Sequence, residues 1–430
     1  MHTRSLASTR TTISPPPAAR HAATAALLLA ALCRPASAQG PVFQTPGMTG
    51  FGAQYPSAPI DDPTAESQTS RFSSVFNPSF SFVVDALADY VDSDSGRDGF
   101  DADLRTLEFS AQSWVDPNAW AYFIAATEDE SVAVEEAAIH YVGLGGNWTL
   151  RAGRFFVDFG KQMQTHVHEL RTIERPLVLR TFLGDEVKGD GLQVDHWFAV
   201  GDETAVRWSV GVFADLLPEA EEEDDPAPEA SVAERKSLGD LHYTARLTGF
   251  RDAGDHGTVQ VGLSARAIPD YSFEFEPSGA AEGGLASYVY GLDATYGWKD
   301  DSGLAGWTLG GEYLRSTGDT GSELDDAGTP GDPSDDGIVV LDDEIGGWYA
   351  FADYAWSPYQ SVGLQYSLVE LPDQTDLGEV EAYYTRMFSE FHRLRFAVAA
   401  LESDAEGEDS LRLALQYTAV LGAHGHGVNW

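Results

Sequence analysis

The chain has 430 residues, with 26 Lys and Arg against 68 Asp and Glu, a formal net charge of −42, and aromatic residues at 11% of its length. A charge this negative excludes a conventional nucleic-acid binder, because neutralising phosphates needs a basic surface. No apolar run reaches the length of a membrane-spanning helix, which excludes a helical bundle in lipid. At 43% hydrophobic, with 10 Trp, 17 Tyr, 22 Phe and 43 Gly, the composition suits an exported β protein rather than a disordered chain.

Residues 1–38 read as an export signal. Arg4, Arg10 and Arg20 make a basic start without acids, Ala22 to Cys33 is a short apolar core, and Ala36-Ser37-Ala38 has the small-x-small form of a cleavage site before Gln39. The single cysteine, Cys33, lies in this leader between Leu32 and Arg34, neighbours unsuited to a lipid-modified cysteine. Cleavage after Ala38 leaves a mature chain without cysteine, so disulfides contribute nothing to its stability. Loss of four arginines takes the charge from −42 to −46. Residues 39–78 are rich in Pro, Gly, Ser and Gln without periodicity and are expected to be a flexible N-terminal segment.

From residue 79 to 430 the pattern is one of alternating apolar and polar residues in segments of about 10 to 13, without a solenoid repeat. The expected strands are 80–90, 103–114, 119–127, 131–142, 147–155, 190–200, 204–214, 239–250, 256–267, 286–298, 304–315, 344–356, 359–370, 377–387, 391–401 and 410–421. Connections after even-numbered strands are tight, such as Asp116-Pro117-Asn118, Gly201-Asp202-Glu203 and Ser357-Pro358. Those after odd-numbered strands are mostly longer and more polar, including 91–102, 156–189, 215–238, 268–285 and 316–343, with 128–130 and 371–376 as short exceptions. An even strand count with long and short connections in alternation predicts an all-β fold, a single antiparallel transmembrane β-barrel of about 16 strands in a bacterial outer membrane. A soluble sandwich or a propeller alternates too, but closure removes the edge strands that either would have to protect. The segment ahead of residue 79 is too short for the plug of a 22-stranded transporter.

Strand parity then assigns the faces. In 410–421, Leu411, Leu413, Leu415, Tyr417, Ala419 and Leu421 oppose Arg412, Gln416 and Thr418. On this parity Arg151, Arg207, Arg246, Arg266, Arg393, Arg395 and Arg412 point into the lumen, since an Arg in the lipid midplane costs about 2–4 kcal/mol. Glu108, Asp195, Asp293, Glu312 and Glu381 join them, so the lining is mixed. The longest connection, 156–189, is basic for this chain and holds apolar Leu170, Ile173, Leu177, Val178, Leu179 and Phe182. Such a segment is expected to fold into the barrel and narrow it, with Arg151, Arg154, Lys161, Arg171, Arg175 and Arg180 at the constriction.

The stretch from Arg151 to Gln193 resembles the corresponding part of the phosphate-selective porin O/P family. The matching pieces are Arg151-Ala152-Gly153-Arg154-Phe155, Phe159-Gly160, Glu174-Arg175 and Gly191-Leu192-Gln193. The resemblance implies a trimeric passive channel for small hydrophilic solutes whose third outer loop forms the constriction. It further implies that lumen arginines and lysines, here Arg151, Arg171 and Arg175, prefer anions such as phosphate. A structural network pairing loop to wall is the other reading of the same arginines.

His166-Val167-His168 and His424-Gly425-His426 each have a spacing compatible with a metal, and equally with solvated loop histidines. The acidic loops read as solvated surface or as a divalent-cation bridge to lipopolysaccharide. No Gly-x-Ser-x-Gly elbow, His-Glu-x-x-His or P-loop occurs, so neither an enzyme nor a cofactor is expected. The alternative to a channel is a barrel that serves as an envelope scaffold or adhesin through its acidic loops.

Overall fold

The structure is a computed structural model, and it describes residues 78–94, 98–128, 131–217, 229–232, 237–275, 280–319, 321–325, 337–341, 344–371, 376–403 and 409–422. The expected leader, Cys33, the N-terminal segment to residue 77, His424, His426 and the acidic run 219–225 lie outside them. Sixteen strands form the wall: β1 (Ser79–Ser93), β2 (Gly99–Asp116), β3 (Ala119–Glu128), β4 (Ser131–Tyr141), β5 (Trp148–Phe156), β6 (Lys188–Val200), β7 (Thr204–Phe213) and β8 (His242–Asp252) in the first half. The second half is β9 (Gly257–Phe275), β10 (Ala280–Lys299), β11 (Gly306–Gly318), β12 (Ile345–Ser357), β13 (Gln360–Glu370), β14 (Asp376–Ser389), β15 (His392–Ser403) and β16 (Ser410–Gly422). Each pairs antiparallel with its sequence neighbour, and β1 pairs with β16 from Ser81↔Gly422 to Ser93↔Ser410, which closes the cylinder. No ladder in the wall is left with a free edge.

Side-chain burial is inverted relative to a water-soluble protein. On β10, Leu292 is 49% exposed while its neighbour Asp293 is 1% exposed. On β9, Leu263 is 54% exposed and Ser264 is 6%. Apolar side chains stand on the outside and polar ones within, and only a lipid surround makes that arrangement stable. The fold is thus that of a bacterial outer-membrane barrel, and none of the described helices is long and apolar enough to cross a membrane.

The expected strand order holds throughout, with one correction among the connections. Residues 268–285, expected as a polar loop, continue β9 and β10 as a ribbon paired as far as Phe275↔Ala280. The ladder continues there past register shifts at Ile268/Tyr271 and Tyr271/Ser272, and a short strand, Glu229–Val232, adds to the ribbon at Tyr271–Glu274. A separate hairpin, Gly321–Asp325 with Gly337–Leu341, rises from the connection between β11 and β12.

The face assignment has a direct test. Leu263→Arg, on the outer face of β9, is expected to lower unfolding stability by about 2–4 kcal/mol in lipid vesicles. Denaturant titration followed by tryptophan fluorescence measures it, and an unchanged midpoint would contradict an outward Leu263.

Candidate functional site

Between β5 and β6 the chain leaves the wall and runs through the lumen. Its entry is apolar: Phe155, Val157, Phe159 and Met163 are buried with Phe213 and Tyr349 of the wall. The segment then forms a short helix α1 (Leu177–Leu183), opened by Pro176 and closed by Gly184 at φ 71°. Proline at the start and a left-handed glycine after the end are ordinary helix punctuation, and seven residues between them are too few for a periodic signal. Leu177, Val178, Leu179, Phe182 and Leu183 of this helix are buried against the wall. Two glycines make room for the segment. A Cβ on Gly347 would come within 2.7 Å of the Val178 side chain, and one on Gly291 within 3.1 Å of the Phe159 ring.

A backbone inside a barrel has no ladder partner, and each buried unpaired group costs about 1–3 kcal/mol. Wall side chains supply the bonds. Glu312 of β11 accepts from the backbone N–H of Lys161 at 2.6 Å and of Gln162 at 3.1 Å. Ser264 accepts from Gly160 N–H at 3.0 Å, Ser367 from Val178 N–H at 3.2 Å and Glu381 from Ile173 N–H at 2.9 Å. In the other direction Arg395 donates to the Thr172 carbonyl at 2.8 Å, Arg266 to that of Phe182 at 3.3 Å, and Arg393 to that of His168. The segment is tethered to opposite sides of the cylinder.

All seven arginines read as inward stand on the lumen side. Four of them neutralise acids. Arg151 pairs with Glu136 at 2.8 Å, Arg207 with Asp158 at 2.9 Å and with Asp195, Arg246 with Asp293 at 2.8 Å, and Arg412 with Asp89 at 2.7 Å and Glu174 at 2.8 Å. Burial alone would raise the carboxyl of Asp158, but the guanidiniums of Arg207 and Arg246 outweigh it and hold it below its ordinary value. The other three, Arg266, Arg393 and Arg395, bind the loop carbonyls just named.

The remaining expected constriction residues divide. Arg175 is fully buried and holds the loop to itself, donating to the carbonyls of Thr165 at 2.8 Å and Asp185, and to Glu186 at 2.9 Å. Arg180 crosses to Glu379 of β14 at 2.6 Å, and Arg171 lies over the Phe351 ring, 5.0 Å from its centre. Lys161 bonds to Gln260 at 3.1 Å, and burial pulls its ammonium down to about 7. Arg154 is misplaced by the sequence reading. It pairs with Asp190 at 3.0 Å, on the face that also carries outward Leu192, because an odd offset from inward Arg151 reverses the side of the pleat.

Two lumen features escape strand parity because the strands are bulged. In β2, Asp85↔Thr106 is followed by Leu87↔Asp103, so the ladder slips around Leu104 and Arg105. Arg105 thereby turns inward, bonding to Asp85 at 2.8 Å and to the Ile173 carbonyl at 2.6 Å. In β4, Ile124↔Glu136 is followed by Ala125↔Val134, leaving Glu135 as an extra residue. Glu135 and Glu136 are consecutive yet both buried, and both meet His166 of the loop at 3.1 Å. Burial disfavours the charged imidazole, but Glu135 and Glu136 overcome it and raise His166 well above its ordinary value.

Beside the segment lies a cavity of about 380 Å³ at the end of the barrel with the longer connections. Its polar lining comprises Asp89, Asp101, Asp103, Glu174, Glu379 and Glu381, with Arg180, Arg412 and Ser410. Both of those arginines are already paired with lining acids, so the cavity presents a negative surface.

Comparisons with known proteins agree with this architecture. An anion-selective porin from Comamonas acidovorans superposes with a TM-score of 0.50 at 13% identity, over 80% of this chain and 99% of that one. OprB of Pseudomonas putida gives 0.52 at 10% identity over 80% and 94%, and OmpT of Vibrio cholerae gives 0.50 at 10% over 81% and 99%. An uncharacterized protein of Aquifex aeolicus is 24% identical over 346 residues, 75% of this chain and 68% of its own length. No family model matches the chain. At these identities the likeness carries the fold, a porin-type outer-membrane barrel.

Arg175→Met tests the internal tether. It removes the donor to the Thr165 and Asp185 carbonyls and leaves Glu186 with Lys188 at 3.9 Å, a change expected to cost about 1–3 kcal/mol locally. Limited proteolysis should then cut within 157–187 in a barrel that otherwise stays folded; protection equal to that of the parent protein would contradict this role.

Proposed function

We propose that the protein is a narrow outer-membrane diffusion channel for small hydrophilic solutes, with an entrance that favours cations over anions. The observation that carries the reading is the cavity of about 380 Å³ beside the inturned segment, lined by that segment's Ile173, Glu174 and Arg180 and by wall residues. A solute reaching it meets six carboxylates and two arginines, both committed to acids. Fields focused by a low-dielectric wall concentrate the ions of opposite sign.

The resemblance to phosphate-selective porins and the Comamonas porin's description both point to anions. Of the arginines behind that expectation, Arg151 is engaged with Glu136, Arg175 with Glu186 and loop carbonyls, and Arg171 lies over the Phe351 ring, which leaves little positive charge to face a solute. Assembly as a homotrimer remains part of the proposal, by resemblance alone. So does contact of the acidic outer loops with lipopolysaccharide through divalent cations.

The test is a reversal-potential measurement across a planar bilayer in a KCl gradient. A potential of the sign set by K⁺ permeation is expected, and Asp101→Lys with Asp103→Lys should shift it toward Cl⁻. Anion preference in the parent protein would contradict the cation reading. Absence of conductance would return the barrel to the scaffold or adhesin alternative.

A further inference from the structure

The imidazole of His166 does not sit in a simple ion pair. Its Nδ1 lies 3.1 Å from Glu135 Oε1 and 3.6 Å from Glu108 Oε2, and one donor atom from each of the three residues falls within 4.8 Å of the others. Glu108 comes from β2, Glu135 from the β4 bulge and His166 from the inturned segment, and all three are buried. On the far side of the ring, Nε2 faces Glu136 Oε1 at 3.1 Å. Glu136 is held in turn by Arg151 and Tyr122 at 2.8 Å each and by the Phe156 backbone N–H at 3.2 Å. His168 Nδ1 stands 3.4 Å from Glu108 Oε2 and helps to fix that carboxylate.

We propose that Glu108, Glu135 and His166 bind a divalent transition-metal ion of the zinc class, with Glu136 orienting the imidazole. Bonds of about 2.0–2.1 Å in a tetrahedral site put neighbouring donor atoms about 3.3–3.4 Å apart, and the two spacings at Nδ1 lie on either side of that. A ligating histidine characteristically donates its other N–H to a carboxylate, and here Glu136 provides that oxygen. The Oε2 of Glu135, a side chain only 5% exposed, has no hydrogen-bond partner among the described residues. An oxygen buried without a bond is what a coordination site requires and a simple ion-pair network avoids.

Charge points the same way. Three buried carboxylates, Glu108, Glu135 and Glu136, outnumber Arg151, the guanidinium paired with them, and a divalent ion that displaces the proton of His166 would supply positive charge at the same place. The bulge in β4 brings two consecutive glutamates to one face, something a regular strand cannot do, and bulges recur where a side chain has to be re-aimed. Imidazole in the donor set favours a transition metal over Mg²⁺ or Ca²⁺. The ion would clamp the inturned segment to β2 and β4, and this clamp stands whether or not the barrel conducts.

The experiment uses the full barrel refolded in detergent, stripped with EDTA and titrated with Zn²⁺ alone, then with Mg²⁺ or Ca²⁺. Metal content after dialysis gives stoichiometry, and calorimetry gives affinity. One tightly bound Zn²⁺ per chain is expected, with Mg²⁺ and Ca²⁺ bound far more weakly. His166→Ala and the near-isosteric Glu135→Gln should each weaken Zn²⁺ by more than about tenfold, and Glu136→Gln by about 10–100-fold. His424→Ala with His426→Ala should leave it unchanged. If His166→Ala does not fold, Glu135→Gln decides alone. The proposal is overturned if the parent protein retains no zinc, if the Glu135 variant binds zinc like the parent, or if affinity follows His424 and His426 instead.

Discussion

A peptide backbone carried into the interior of a barrel has to find hydrogen bonds away from any ladder, and here the wall's own side chains provide them. Glu312, Ser264, Ser367 and Glu381 accept from loop N–H groups, while Arg105, Arg266, Arg393 and Arg395 donate to loop carbonyls. These partners belong to strands spread around the cylinder, so the segment is braced from several directions at once. Polar side chains that would line water in an open tube have become the supports of an internal obstruction.

This bracing explains why so many charges are buried in one molecule. A buried charge is tolerable when paired and fully bonded, and costly otherwise. Asp158 of the loop sits between Arg207 and Arg246, and Glu174 meets Arg412. The lumen arginines thereby serve the loop first. The acids that line the cavity outnumber the arginines there, in keeping with a chain whose formal charge is −42.

The cylinder was legible in the sequence because its two faces have opposite solvents. Strict alternation along segments such as 410–421 exposes the pleat directly, and the tight connections mark one rim. The inturned segment was legible from its composition: an apolar, comparatively basic stretch does not suit a water-facing loop of an acidic protein. In the folded cylinder Arg151, Arg207, Arg246 and Arg412 pair with acids of the wall and of the inturned segment.

What parity could not deliver lies where the pleat breaks. A bulge shifts the side of every residue it touches, so Arg105 and Glu135 were invisible as lumen groups, and nothing in a single strand's pattern announces the slip. Arg154 shows the converse: simple counting from Arg151 sends it outward, and its place in a motif-like Arg-Ala-Gly-Arg-Phe run hid that. The pairing of His166 with Glu108 and Glu135 joins three distant parts of the chain, a juxtaposition that only the folded cylinder creates.

The claim beneath all of this is that residues 157–187 occupy the passage. Replacing that stretch with a short Gly-Ser linker between β5 and β6, then recording single-channel conductance in planar bilayers, addresses it most directly. A several-fold rise over the parent barrel, with weakened ion preference, is the expected result. Equal conductance in the two proteins would mean that the segment does not obstruct the lumen.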